Sequence, residues 1–264
     1  MRQVRERYTD AELKALVAGS IGTKAESHCI HDFDGEVLTI GLMSDTHIGS
    51  KYTTPSMIRE AFAVFATEEV DMICHCGDVT EGLSNRPGHV YELTEIGYHA
   101  QLNAAREIFE DAPAHVYMID GNHDRWYKQS AGAHIVEELC NGNDNLTYLG
   151  HDEGDIKLDS VPVVIRLWHG EDGSSYATSY RVQKICESFT GGEKPNVLFC
   201  GHTHKHLYME ERHIHCVSAG AMQRQSKWMR GKRLASHTGF WVVRLTVNKL
   251  GVSRCATEWF PFYV

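Results

Sequence analysis

The sequence predicts a layered α/β fold with its functional residues gathered at one edge of a sheet. Over residues 36–119, apolar runs typical of strands alternate with amphipathic helical segments in the order strand, helix, strand, helix, strand. Each strand ends directly at polar residues, and in such folds the loops at the carboxyl ends of the strands assemble the site. We therefore expect one main domain over residues 36–264, preceded by a short extension at residues 1–35.

The extension contains a helix candidate. Thr9 is a suitable N-cap, and Glu12 three residues later completes a capping box, so a helix is expected over residues 9–18. The turn at residues 32–35 leads into the first strand, and the first hairpin is expected to begin near Ser27.

The elements of the main domain follow from hydrophobic periodicity and from turn residues. The first half is expected to contain strands at 36–43, 70–76 and 114–119 and helices at 55–69 and 91–109. The second half is expected to contain a helix at 177–187 and strands at 161–167, 196–200, 214–218, 240–247 and 252–257.

The composition is that of an ordinary globular protein and excludes two classes of function. Of the 264 residues, 42% are hydrophobic and 23% are charged, and the formal net charge is −9. This acidity argues against a general nucleic-acid coat protein and against a membrane-surface binder, because both need broad positive potential. Neither a signal peptide nor a run of membrane-spanning length is apparent, so we expect a cytoplasmic protein without a membrane partner. The oligomeric state is left open.

Eight cysteines are spread along the chain without the spacing of a disulfide framework, and several lie in apolar strands. This pattern favours reduced, buried thiols. Cys74 and Cys76 resemble a zinc-binding pair, but they alternate along a strand that leads straight to Asp78, and buried thiols are the better interpretation.

Five strand ends carry the residue types that bind metal ions. Asp45 and His47 follow the first strand, and alternation along an extended chain directs both side chains the same way. The other four ends carry Asp78, Asn122 with His123, His169, and His202 with His204. Five such ends in order would rarely arise from solvated loops. Most other histidines, His89 and His151 among them, lack this placement and are expected to be surface or satisfied polar residues.

These five blocks resemble those of the calcineurin-like metallophosphoesterase superfamily: Asp-x-His, Gly-Asp, Gly-Asn-His-Asp or Gly-Asn-His-Glu, a lone His, and Gly-His-x-His. All five occur in order between Asp45 and His204. The resemblance implies a two-layered β-sandwich flanked by helices, with a binuclear metal site at one edge of a catalytic domain over residues 36–264. It implies a first metal held by Asp45, His47, Asp78 and His204, and a second held by Asp78, Asn122, His169 and His202. Asp78 would bridge both ions.

This donor set has a clear chemical meaning. Oxygen and imidazole ligands without thiolate suit Mn²⁺ best, with Fe, Zn²⁺, Ni²⁺ or Mg²⁺ as alternatives. Two cations about 3.5–4 Å apart can grip a phosphate and convert a bridging water into the hydroxide that attacks phosphorus in line. His123 would give the leaving alkoxide its proton, which typically raises the reaction rate ~10²–10⁴-fold. Asp124 would orient and charge-stabilise that imidazole.

Residues after the Gly-Asn-His-Asp block are candidate substrate contacts. Arg125 and Trp126 could supply a cation for phosphate and a ring for a base, although packing of Trp126 against the next helix explains it equally well. The segment at residues 170–181, which ends in Arg181, could be a substrate loop or only a helix entry rich in capping residues.

A basic run covers residues 223–233. It contains Arg224, Lys227 and Arg230 beside Trp228 and has no acidic residue, in contrast with the rest of the chain. Such a loop could receive a polyanionic strand, or it could be a solvated surface loop.

We therefore expect a phosphodiesterase that acts on nucleotides or on nucleic acid, including single-stranded nucleic acid. Asp124 stands where phosphoprotein phosphatases usually have Glu, which resembles the phosphodiesterase and repair-nuclease branches. The Gly-Asp block continues Val-Thr-Glu rather than with the Asp-Arg-Gly of protein phosphatases. A phosphomonoesterase acting on a small molecule or a phosphoprotein stays open, as does a non-catalytic metal-binding scaffold like the retromer subunit that resembles this family.

Overall fold

Two six-stranded sheets pack face to face in the computed structural model, which describes residues 28–170 and 177–263. The helix expected over residues 9–18 and the hairpin start at Ser27 lie outside the described residues. The strands are β1 (His28–His31), β2 (Val37–Met43), β3 (Met72–His75), β4 (His115–Asp120), β5 (Leu146–His151), β6 (Glu153–Leu158), β7 (Val164–Trp168), β8 (Val197–Cys200), β9 (His206–Glu211), β10 (Ile214–Ala219), β11 (Gly239–Asn248) and β12 (Gly251–Pro261).

Helices cover the outer faces of the sheets. They are α1 (Pro55–Thr67), α2 (Tyr98–Phe109), α3 (Arg125–Ala131), α4 (Ile135–Asn141), α5 (Tyr180–Ser188) and α6 (Lys227–Gly231), with 3-10 turns at His89–Glu92 and Gly191–Glu193. The sheets have the orders β12-β11-β2-β3-β4-β5 and β1-β6-β7-β8-β10-β9. The predicted α/β fold, a two-layered β-sandwich flanked by helices, is confirmed.

The parallel part of the first sheet explains the strand–helix alternation of the sequence. Strands β2, β3, β4 and β5 pair in parallel, and α1 and α2 form two of the crossovers that parallel neighbours require. All four residues of β3 are buried, as expected for a strand covered on both faces.

Successive side chains of β2 point to opposite faces of the first sheet, and each face contacts a different hydrophobic cluster. Leu38, Ile40 and Leu42 are fully buried in the cluster between the sheets. On the opposite face, Gly41 leaves room for the ring of Phe65 on α1, whose atoms would lie 2.9 Å from a Cβ at that position. Helix α1 therefore lies close against the sheet, and burial of its apolar face stabilises the layer. A third cluster lies under α5, on the outer face of the second sheet.

Two expectations about the chain path are corrected. The helix expected over residues 91–109 begins only at Tyr98, because Gly97 adopts a φ of 95° and a separate 3-10 turn ends at Glu92. Strand β1 forms no hairpin with β2: it pairs in parallel with β6 of the other sheet. Residues 28–31, assigned from sequence to the extension, thus form an edge strand of the sandwich.

The eight cysteines are free, and Cys74 and Cys76 are buried in the core between the sheets. The interpretation of Cys74 and Cys76 as buried thiols, rather than as a zinc-binding pair, is therefore confirmed. Within residues 28–170 and 177–263, each helix is too short or too polar to cross a lipid bilayer.

Candidate metal centre

Five strands deliver the predicted ligands to one edge of the sandwich. Strands β2, β3 and β4 are parallel neighbours in the first sheet, and β7 and β8 are parallel neighbours in the second, so the carboxyl ends within each group lie side by side. The two edges are joined by backbone hydrogen bonds, including Met222 N–H to the Ser44 carbonyl at 3.0 Å. The seven predicted ligands follow these ends: Asp45, His47, Asp78, Asn122, His169, His202 and His204.

One group of ligand atoms comes from Asp45, His47 and His204, whose candidate atoms all lie within 4.8 Å of one another. The Nε2 atoms of His47 and His204 are 3.2 Å apart. Asp45 Oδ1 lies 3.2 Å from His204 Nε2 and 3.9 Å from His47 Nε2. All three residues are buried.

A second group comes from Asp78, His169 and His202, again within 4.8 Å of one another. Asp78 Oδ2 lies 3.3 Å from His169 Nε2. The amide oxygen of Asn122 lies 3.1 Å from His169 Nε2 and 2.9 Å from His202 Nδ1, so it faces the same point.

Asp78 lies between the two groups. Its Oδ2 atom is 3.7 Å from His47 Nε2 in the first group and 3.3 Å from His169 Nε2 in the second. Its other oxygen, Oδ1, accepts a hydrogen bond from the His123 backbone N–H at 2.8 Å. This carboxylate therefore faces both ligand groups.

The backbone at these residues is strained. Asp45, His47, Asp78, His202 and His204 have φ values of 52°, 45°, 52°, 68° and 53°, in the left-handed region that side chains with a Cβ rarely adopt. Each residue in this conformation lowers the stability of the fold by about 1–3 kcal/mol, and strain of this kind is typically retained at functional sites.

Two further observations fit a cation at this site. The buried Oδ1 of Asp45 accepts no well-aligned hydrogen bond from the residues described, although two imidazole nitrogens surround it. At Gly121, a Cβ atom would lie 2.2 Å from Asp78 Oδ1 and 2.7 Å from His169 Nε2, so only glycine lets the β4 loop approach the carboxylate this closely. Buried carboxylate and imidazole atoms facing one another without full hydrogen bonding suit a divalent metal.

The ring orientation of two histidines leaves Nε2 free for a metal. His169 Nδ1 donates to the Cys76 carbonyl at 2.6 Å. His47 Nδ1 lies 2.9 Å from Glu81 Oε2 in an ion-pair contact, without the alignment of a hydrogen bond. Metal-binding histidines typically hold the second ring nitrogen in this way, which fixes the tautomer and raises ligand basicity.

Glu81 and His89 are supporting residues that sequence reasoning missed. Glu81 Oε1 lies 2.9 Å from His89 Nε2, and His89 Nδ1 accepts a hydrogen bond from the Ser84 backbone N–H at 3.1 Å. His89 was expected to be an ordinary polar residue, but it is buried and holds the carboxylate that holds His47. The sequence feature that could have indicated this supporting role is the acidic residue Glu81, three positions after Asp78.

The electrostatics reflect this density of opposite charges. Burial alone would lower the pKa of His47, but Glu81, Asp78 and Asp45 raise it to about 9. Burial likewise opposes the raised pKa of His169, which reaches about 10 because of Asp78 and Asp45. Burial alone would raise the pKa of Asp78, yet the surrounding imidazoles hold it well below its usual range. The carboxylates thus stay ionised and favour positive charge at the centre.

His123 and Trp126 lie beside the first ligand group. The His123 ring packs edge-on to His47 with centroids 4.5 Å apart, and its Nδ1 bonds the Glu81 carbonyl at 2.9 Å. The Trp126 ring lies 4.0 Å from that of His123, so it fixes the imidazole by packing as well as lining the cavity. The expected position of His123 next to the ligands is observed.

The contacts of Asp124 differ from those expected. Its Oδ2 accepts from the backbone N–H groups of Val79 and Gly121 at 3.0 and 2.9 Å, and Oδ1 accepts from Thr80 N–H at 2.7 Å. The residue therefore ties the loop after β3 to the loop after β4. The orienting acceptor of His123 is the Glu81 carbonyl, not the Asp124 carboxylate.

The predicted substrate residues are only partly at the site. Arg125 is buried and forms ion pairs with Asp120 and Asp152, so its role is structural. Arg181 lies on α5 and lines neither the cavity at the ligands nor the groove beside it, which Lys51, Arg86 and Lys227 line. Residues 171–176 of the predicted substrate loop lie outside the described residues.

Some residues of the basic run at 223–233 face the site, and others do not. Ser226, Trp228 and Met229 line the cavity at the ligands, and Lys227 lines an adjoining groove. Arg224 and Arg230 are exposed and line neither. Because α6 is only five residues long, sequence periodicity could not show which cations face inward.

The ligands open into a cavity of about 480 Å³. Its lining includes the ligands His47, Asp78, Asn122, His202 and His204. Aromatic and apolar side chains also line it, among them Trp126, Trp228, Met229 and Leu234. Lys205, next to His204, adds a cation that sequence reasoning missed.

Comparison with known proteins identifies relatives. The family model described as the calcineurin-like phosphoesterase superfamily domain matches residues 38–238. The chain is 23% identical to the DNA polymerase II small subunit of Methanocaldococcus jannaschii over 272 aligned residues, which cover 85% of this chain and 45% of that protein. It is 34% identical to the Halobacterium salinarum protein of the same name over 89 residues, which cover 31% of this chain and 17% of that protein.

The chain therefore spans less than half the length of these curated relatives. Among solved structures, an archaeal phosphodiesterase superposes with a TM-score of 0.48 at 19% identity, covering 84% of this chain and 100% of that one.

Proposed function

Since the chain belongs to the calcineurin-like phosphoesterase superfamily, we propose that it is a binuclear metal-dependent phosphodiesterase acting on nucleotides or nucleic acid. The observation that carries this proposal is the convergence of two ligand groups on one carboxylate, Asp78, beside the imidazole of His123. A strained, buried cluster of this composition has no evident structural purpose.

The residues present fit two divalent cations. Asp45, His47, Asp78 and His204 would hold one, and Asp78, Asn122, His169 and His202 the other. When bound, the ions would neutralise the phosphate and lower the pKa of water, and Mn²⁺ is the ion that this oxygen and imidazole set suits best, with Fe, Zn²⁺, Ni²⁺ and Mg²⁺ as alternatives.

The chain itself would supply the proton for the leaving group. His123 lines the cavity, and because its Nδ1 is held by the Glu81 carbonyl, its Nε2 is available to a bound ester. In its imidazolium form His123 carries a proton on each ring nitrogen, and transfer of the Nε2 proton to the departing alkoxide avoids building negative charge on oxygen and leaves a neutral imidazole. Packing of Trp126 against the ring keeps the imidazole in place.

The aromatic and apolar lining of the cavity favours a diester that carries a base. Trp126 and Trp228 suit the face of a nucleobase, while a small phosphomonoester would leave them unused. The name of the curated relatives, DNA polymerase II small subunit, adds a nucleic-acid context in favour of the same substrate class.

Metal analysis and two small esters test the proposal. The purified protein loaded with Mn²⁺ is expected to contain two ions per chain and to hydrolyse bis(p-nitrophenyl) phosphate faster than p-nitrophenyl phosphate. Faster hydrolysis of the monoester would favour a phosphatase. Bound metal with no hydrolysis of either ester would contradict the enzymatic proposal and favour a metal-binding scaffold.

A further inference from the structure

A groove of about 630 Å³ adjoins the cavity of the metal centre. Arg86, Glu92 and Trp228 line both, so the two spaces lie side by side. The groove is formed by three separate parts of the chain: Lys51, the segment at and before the 3-10 turn at His89–Glu92, and α6 with the residue that follows it.

The groove is cationic although the chain is acidic. Lys51, Arg86, Lys227 and Lys232 line it, and Glu92 is the carboxylate among the lining residues. Glu92 Oε2 lies 2.7 Å from the Arg86 guanidinium, which holds that side chain at the junction with the cavity. The three lysines are exposed to solvent in a chain of net charge −9.

Lys51 is held where it can still bind an anion. Its ammonium donates to the Tyr91 carbonyl at 3.1 Å and lies 5.2 Å from the centre of the Tyr52 ring. An ammonium has three N–H donors, so these contacts position the charge and leave donors for a ligand.

Two aromatic side chains accompany the cations. Tyr91 is 82% exposed and Trp228 is 47% exposed, and both line the groove. The two rings lie in the same basic groove, and aromatic faces beside a basic groove are the arrangement that binds unpaired bases. A duplex would offer its phosphates to the lysines but no base face to the rings.

We infer that this groove binds the phosphates and bases of single-stranded nucleic acid that flank the ester at the metal centre. The protein therefore acts on a strand, with one nucleotide in the cavity and its neighbours in the groove. This inference deepens the proposed function of the metal centre and rests on it only for the cleavage step. Strand binding by the groove needs no metal and is measured separately.

The test measures binding of a fluorescein-labelled oligothymidylate of about 10 nucleotides to the full chain in EDTA, by anisotropy across a salt series. The double variant Lys51→Gln, Lys232→Gln is expected to reduce the slope of log K against log salt by about 1.4, because each phosphate contact on a single strand contributes about 0.7. Trp228→Ala is expected to weaken binding at least about 10-fold without changing that slope.

The matched control removes the same charge elsewhere. Lys249→Gln, Arg254→Gln changes two exposed cations at the hairpin between β11 and β12 and is expected to leave the slope unchanged. Equal slopes for the two double variants, equal affinity for the labelled strand and for its duplex, or no binding by the unaltered protein would each overturn the inference. Failure to hydrolyse bis(p-nitrophenyl) phosphate with Mn²⁺ would instead contradict the proposed function and would leave the anisotropy result to decide the groove.

Discussion

The ligand edge and the basic groove lie side by side but are built in opposite ways. The ligands follow the ends of buried parallel strands, and Asp45, His47, Asp78 and His169 are at most 2% exposed. The groove is formed by short turns and a five-residue helix, and its lysines are exposed. A rigid core thus places the groups for chemistry, while surface segments carry the groups for recognition.

This difference separates the expected effects of mutation. Changes at the metal ligands should alter metal binding and turnover of every substrate, because all substrates would meet the same ions. Changes in the groove should alter only ligands long enough to reach it. The following substitutions test the ligand edge and the residues that support it, and the Lys51, Lys232 and Trp228 variants described above test the groove.

Asp78→Asn is expected to have the largest effect. Because this carboxylate faces both ligand groups, its loss should remove at least one ion and lower hydrolysis of bis(p-nitrophenyl) phosphate by about 10⁴-fold or more. Metal content and initial rates are measured together, with the exposed Asp144→Asn as the control. Retention of both ions at normal rate would show that Asp78 is not shared.

His123→Ala should retain the metals and lose rate. A loss of about 10²–10⁴-fold is expected with a dinucleotide, whose alkoxide leaving group needs a proton. The loss should be smaller with p-nitrophenyl esters, since p-nitrophenolate leaves readily without one. Equal losses on both substrates, or loss of metal, would mean that His123 acts on the ions rather than on the leaving group.

Glu81→Gln tests the support behind the ligands. The exchange should weaken metal affinity by about 10–100-fold, because His47 loses the carboxylate that orients it. Competition with a fluorescent chelator measures the affinity, and the exposed Glu110→Gln provides the control. Unchanged affinity would indicate that metal binding does not need the Glu81 contact, because the Cys76 contact of His169 and the remaining ligands suffice to hold the ions.

Asp124→Asn should act mainly on stability. The amide cannot accept all the backbone hydrogen bonds that the carboxylate accepts, so about 2 kcal/mol of unfolding free energy should be lost, which lowers Tm by about 4–8 °C. The pH dependence of the rate at 25 °C should be retained. A changed profile with an unchanged Tm would restore the orienting role expected from sequence.

The sequence predicted the ligand edge better than its surroundings for a physical reason. Strand ends such as those before Asp45 and Asp78 are marked by long apolar runs, and parallel pairing then brings them together. The resemblance to the superfamily added the pairing of the two sheets, which the strand pattern alone does not determine.

What could not be predicted depends on contacts between distant or short segments. His89 was indistinguishable in sequence from other polar histidines, because its partner Glu81 is reached only through a turn. Arg125 carries a charge beside the site but is drawn inward by Asp120 and Asp152. For the basic run, only the position of α6 shows that Lys227 lines the groove and that Arg230 does not.

The most direct test of the shared carboxylate is a crystal structure of the protein grown with Mn²⁺, with anomalous scattering used to locate the metal. Two peaks are expected about 3.5–4 Å apart, with one oxygen of Asp78 bound to both or each oxygen bound to one. A single peak, or two peaks of which neither contacts Asp78, would contradict the account.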